Sequence, residues 1–116
     1  MPSELVTITY PVADLDASVR LFTALFGVEP YIHEPYYAAF NVGGTDVGLD
    51  PNQPDGGGVA VPYWRVQDMA GAVDRLASSG CSIEQEPKRV GGGRTIARLR
   101  SGDGTLIGLV HDQDRS

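Results

Sequence analysis

The chain has 116 residues, 41% of them hydrophobic, and a formal net charge of −6. That length suits one domain, or two small halves sharing a core, and the apolar content excludes wholesale disorder. The acidic balance and the lack of a long basic run argue against nucleic acid or anionic membrane as partners, and no apolar run is long enough to span a bilayer.

The first strand signal is Val6-Thr7-Ile8-Thr9-Tyr10, with Val6, Ile8 and Tyr10 on one face and the threonines on the other. Pro11 ends it. A helix is expected from Leu15 to Phe26. Asp14 caps it, Leu15, Val19, Phe22 and Phe26 share one face, and Gly27 supplies the left-handed stop. Strand signals follow at Glu29 to Glu34, Tyr36 to Val42 and Thr45 to Leu49, with Gly43-Gly44 as a hairpin turn. Asn52 to Gly58 is rich in Pro, Asp and Gly and predicts a linker.

The second half repeats the pattern. A strand at Val59 to Arg65 carries Tyr63 and Trp64, and a helix from Met69 to Ser79 is capped by Asp68 and stopped by Gly80. Strands are expected at Ser82 to Val90, Arg94 to Arg100 and Leu106 to Val110, separated by Gly91-Gly92-Gly93 and Ser101-Gly102-Asp103-Gly104. His111 to Ser116 is expected to fray. Val12 and Val66 are 54 residues apart, and Gly27 and Gly80 are 53 apart. Near-constant spacing predicts an internal duplication, strand-helix-strand-strand-strand twice, spanning about 4–51 and 58–111 of a single domain. Helices would cover one face of each half, leaving the other faces to curve around a shared cavity.

The amino terminus, Met1-Pro2-Ser3-Glu4-Leu5, lacks the basic and apolar regions of a secretory signal, so a cytoplasmic protein is expected. Cys81 is the single cysteine, which excludes an internal disulfide, and no neighbour in sequence would activate it. Neither triple glycine is followed by the Lys-Ser/Thr of a phosphate loop. Asp112-Gln113-Asp114 lacks calcium-loop spacing, and Ser78-Ser79 has no nearby histidine to form a nucleophilic triad.

The run Val12-Ala13-Asp14-Leu15 with Ser18 and Phe22, the echo Val66-Gln67-Asp68, and the closing Ser101-Gly102-Asp103-Gly104-Thr105-Leu106-Ile107-Gly108-Leu109-Val110 resemble the vicinal oxygen chelate superfamily. This is the group of glyoxalase I, bleomycin-resistance proteins and extradiol dioxygenases. The resemblance covers nearly the whole chain. It implies an α+β fold of two tandem βαβββ modules with curved mixed sheets around a concave cavity, and commonly a homodimer. It also implies metal ligands seven residues before each capping aspartate and in the last strand of each half. Those places are Thr7, Val61, Gly48 and Gly108, none of them a good ligand. No metal and no cofactor are therefore expected. A replacement site would require His33 to meet Asp46 or Asp50 across strands, because His33 and Glu34 are adjacent and point to opposite faces.

Alternation places Thr7, Thr9, Val61, Tyr63, Arg65, Leu106, Gly108 and Val110 toward the cavity, and Arg94 and Arg98 opposite Leu99. Tyr36, Tyr37 and Phe40 lie on a strand without clear alternation. The candidate ligand-binding residues are Thr7, Tyr37, Phe40, Val61, Tyr63, Arg94, Arg98 and Gly108. Aromatic rings, small residues and one or two cations suit a flat organic ligand, aromatic or anionic. The expected function is metal-free binding that sequesters or carries such a ligand, as the superfamily's antibiotic-resistance members do. The alternative is a lyase, isomerase or dioxygenase-like enzyme with a non-standard or absent metal site.

Overall fold

The computed structural model describes residues 4–52 and 59–112. Most of the expected linker and the tail beyond Asp112 lie outside the described residues. The described residues form β1 (Glu4–Pro11), α1 (Leu15–Phe26), β2 (Ile32–Glu34), β3 (Tyr37–Val42), β4 (Thr45–Asp50), β5 (Val61–Arg65), α2 (Met69–Ser78), β6 (Ser82–Val90), β7 (Arg94–Arg100) and β8 (Leu106–Asp112). This is α+β, and it is βαβββ twice.

Thr7–Val61 forms one compact unit. Its strands run β2-β3-β4-β1, with β1 and β4 parallel and the other pairs antiparallel. The side chain of Asp14 accepts a hydrogen bond from the Ala17 amide at 3.1 Å, which starts α1. Gly27 ends it with φ 75°, its amide donating to the Thr23 carbonyl. The helix lays Leu15, Val19, Phe22 and Phe26 on Ala38, Phe40, Val47 and Leu49. Gly43 and Gly44 both take positive φ in the β3–β4 turn, as a tight hairpin requires.

The other unit takes in β5 from Pro62 onward, every later element, and the start of β1 as far as Val6. Its strands run β5-β8-β7-β6, again with one parallel pair, β5 and β8. Asp68 caps α2 by accepting from the Gly71 amide at 3.0 Å. Ala72 and Val73 of α2 pack on Ala97, Leu99 and Leu109, with Cys81 at the margin of the cluster. Strand β6 lies at the edge, and its pairing with β7 slips between Ile83 and Gln85 and again between Gln85 and Lys88.

Strand β8 runs two residues further than the hydrophobic pattern indicated. His111 is half-buried, its Nδ1 3.0 Å from the Val66 carbonyl oxygen, rather than part of a frayed tail. Asp112 pairs with Arg94 across β7–β8. Ion pairing extends the strand where apolar alternation stops.

Candidate functional site

Each sheet has one face covered by its own helix and one face turned away from it. Alternation assigns the residues. In the first unit, Ala38, Phe40, Val47 and Leu49 are on the helix side, so Tyr37, Ala39, Asn41, Asp46, Gly48, Thr7 and Thr9 are on the open side. Phe40 is 0% exposed, with ring centroids 5.3 Å from Phe26 and 6.4 Å from Phe22. It is therefore a core residue, which corrects its assignment to the ligand-facing set. Tyr37 and Phe40 are three residues apart on one strand and cannot share a face.

Asp46 on this open side is engaged. Its carboxylate accepts hydrogen bonds from the Tyr31 hydroxyl at 2.8 Å and the Asn41 amide at 2.9 Å. His33 pairs with Ala38 in register and so faces the helix side, where its Nε2 lies 3.3 Å from Asp16 Oδ1. Asp50 accepts from the Asn52 amide and has the alternation of Asp46. The replacement metal site built on His33 with Asp46 or Asp50 is thus corrected: histidine and aspartates lie on opposite faces. Among the described residues no group of three or more His, Cys, Asp or Glu could hold a metal ion.

In the second unit, Ala97, Leu99, Ile107 and Leu109 are on the helix side. The open side carries Tyr63, Gly108, Arg98 and Gln85 as one row of register partners across β5, β8, β7 and β6. Ile96, Arg94, Arg100, Val110 and Asp112 lie on the same side. Tyr63 is 7% exposed, a packed wall rather than an open stacking platform. Val61, which closes the first unit, is 3% exposed. Thr7 is half-buried and registers with Asp46.

The arginines divide by partner. Asp112, whose side chain is 14% exposed, accepts from Arg94 Nε at 2.7 Å and from Arg65 Nη1. Arg65 also donates to Glu4 at 2.9 Å. That bond, with the Asp112 contacts, outweighs burial and raises the Arg65 pKa above its ordinary value. Burial pushes the Asp112 carboxyl up, but the hydrogen bonds and charges of Arg94 and Arg65 together hold it below the usual carboxylate value. Arg94, expected to face a ligand, is committed to this pair. Arg100 makes a two-pronged contact with Glu84 at 3.0 Å on each oxygen. Arg98 has no hydrogen bond or ion pair among the described residues.

Glycine has a specific role at two places. A Cβ built on Gly48 would lie 2.2 Å from the Tyr37 hydroxyl oxygen, and one built on Gly108 would lie 2.5 Å from the Tyr63 ring. In each unit a tyrosine fills the space that a side chain on the last strand would occupy. Two grooves lie elsewhere, one by the start of α1 with Asp14, Asp16, His33 and Glu34, the other by α2 with Trp64, Arg75 and Leu76. Neither includes a residue of the candidate set.

The family model of the Glyoxalase/Bleomycin resistance protein/Dioxygenase superfamily matches residues 4–109. The chain belongs to this superfamily. A hypothetical protein of Bacillus halodurans C-125 has the same fold, with TM-score 0.78 and 14% identity over 100% of this chain and 99% of that one. A methylmalonyl-CoA epimerase of Streptomyces coelicolor, in complex with 2-nitronate-propionyl-CoA, gives 0.74 and 22% over 98% and 97%. A glyoxalase/bleomycin resistance protein/dioxygenase superfamily member of Vibrio splendidus 12B01 gives 0.70 and 21% over 96% and 100%. No curated protein sequence matches.

The metal that the superfamily implies does not fit this donor set. Two of the four resemblance positions are glycines, and the volume above each is filled by a tyrosine. Val61 offers no donor, and Thr7 offers one weak hydroxyl. The glycines also yield a stability prediction. The Gly108 Cβ would meet the Pro62 carbonyl oxygen at 2.8 Å as well as the ring, whereas the nearest obstacle at Gly48 is the far end of the Tyr37 side chain. Gly108→Ala is expected to destabilise by about 1–3 kcal/mol and Gly48→Ala by less, as read by urea denaturation. Equal costs would mean that the backbone at Pro62 yields as readily as the Tyr37 side chain.

Sequence reasoning missed Gln85, the Asp112 pairing and the engagement of Asp46. Asp112 had a signal: it is the acidic end of a strand whose neighbour, β7, begins with an arginine. Gln85 had none, because its position depends on the slipped register of β6.

Proposed function

We propose that this superfamily member binds a small organic anion without a metal, on the open side of the second unit, with Arg98 as the recognising cation and Tyr63 and Gly108 beside it. The observation that carries this reading is the filling of both glycine positions by tyrosine rings, which replaces ligand carboxylates with aromatic wall. Arg98 supports it further. With no acid partner among the described residues, its guanidinium offers a fork of donors matched to a carboxylate or phosphate. Sequestration or carriage of the ligand is the biological role this reading supports. The fold likeness to an epimerase with a bound CoA thioester analogue favours one second reading, an enzyme acting on an acyl thioester.

The test is calorimetric titration of the protein with aryl and alkyl carboxylates and acyl-CoA thioesters, with and without chelator, alongside metal analysis of protein purified without chelator. Binding of a carboxylate that survives chelator and weakens about tenfold or more in Arg98→Ala is the expected result. Stoichiometric bound metal, or affinity that requires added metal, would overturn it. Turnover of a thioester would establish the second reading.

A further inference from the structure

Gln85 adds a second requirement to the same ligand, and this inference rests on the binding reading above. The slip in register between Ile83 and Gln85 inserts one extra residue in β6, so that Glu84 and Gln85 together face the span that ends at Arg98. Glu84 is taken by Arg100. Gln85 is left in register with Arg98, and its side-chain Oε1 is buried with no hydrogen-bond partner among the described residues. Buried acceptors are nearly always satisfied, and an exception calls for an explanation. Arg98, one strand away, carries only donors. Register partners in an antiparallel pair have Cα atoms about 5 Å apart. A donors-only group and an orphaned acceptor thus belong to register partners on the face turned away from the helix.

We infer that the ligand presents an anionic acceptor to Arg98 and, within one or two bonds of it, a neutral hydroxyl or N–H that donates to Gln85 Oε1. The donor is neutral because an ammonium group would place a second cation beside the guanidinium. Ile96 and Leu106, both half-buried, flank Arg98 and Gly108 on this side and supply a contact for an apolar body. The chemical class is a hydroxy acid, or its neutral N–H equivalent, with an apolar substituent.

Three probes separate the terms. Mandelate has the carboxylate, the apolar ring and the donor. Phenylacetate lacks the hydroxyl. 2-Methoxy-2-phenylacetate keeps an oxygen there but cannot donate. Titrations would use the wild-type protein, Gln85→Met, which holds volume and removes the acceptor, and Arg98→Ala. Mandelate is expected to bind wild type about tenfold more tightly than the other two, a typical effect of satisfying one buried acceptor. In Gln85→Met that preference should vanish while phenylacetate affinity stays the same. Equal affinities for the three probes in wild type, or a mandelate preference that survives in Gln85→Met, would overturn the role of Gln85 and leave Arg98 binding standing. Absence of binding by all three, or carboxylate affinity unchanged in Arg98→Ala, would instead overturn the binding reading and this inference with it.

Discussion

Phe40→Ala is expected to destabilise the protein by about 3–5 kcal/mol and to leave carboxylate affinity in the folded fraction unchanged. Phe40 is fully buried and meets Phe22 and Phe26 beneath α1. Truncation removes most of a ring and leaves a cavity that the sheet backbone cannot collapse to fill. The aromatic contacts add about 0.5–1.5 kcal/mol per pair beyond the area buried. At roughly 4 °C per kcal/mol for a domain of this size, the melting temperature should fall by more than about 12 °C. A variant that kept its melting temperature and lost ligand affinity would return Phe40 to the open face.

Asp112→Asn should cost about 2 kcal/mol at neutral pH, between the at most about 1 kcal/mol of an exposed ion pair and the about 3–5 kcal/mol of breaking a buried one. Asp112 is well enclosed, but Arg65 and Arg94 keep 28% and 34% of their side chains exposed, so solvent screens part of the attraction. The substitution also leaves two guanidinium groups facing each other across a neutral amide. The folded-state pKa of Asp112 lies below its ordinary 3.8. Its stabilisation is therefore complete above that ordinary value and is lost as the pH falls through the lower, folded one. Urea denaturation of wild type and Asp112→Asn should show a constant gap from pH 7 to about 5 that narrows below about 4. A gap independent of pH down to 2 would assign the cost to packing rather than to charge.

These outcomes also mark where the sequence could be read. Both helices were legible to the residue at their starts, because an aspartate cap before an apolar stripe has one physical meaning. The repeated order of strand, helix and three strands was legible from its spacing. The open side of β7 was legible too, since Arg94, Ile96, Arg98 and Arg100 alternate with Thr95, Ala97 and Leu99. Strand β3 was not. Tyr36-Tyr37-Ala38-Ala39-Phe40 is apolar throughout, so alternation cannot say which residue faces the helix, and Phe40 was placed with the ligand. Nor could pattern alone say which arginine is spent: Arg94 and Arg98 look alike in sequence, and only the reach of Asp112 separates them. The tyrosine above each glycine comes from a different strand, a tertiary relation with no local signature.

Strands β2 and β6, each at one end of its own unit's sheet, share a further feature. Strand β2 has only three residues, and β6 combines two register slips, Pro87 and a run of charged side chains. A smooth row of unpaired amides and carbonyls is a template for adding another chain, and these are the features that spoil one. At β2 and at β6 an incoming backbone would therefore find no continuous ladder to extend. The irregularity that brings Gln85 into register with Arg98 also interrupts the ladder, so straightening β6 would change that pairing and lengthen the exposed row of backbone groups together.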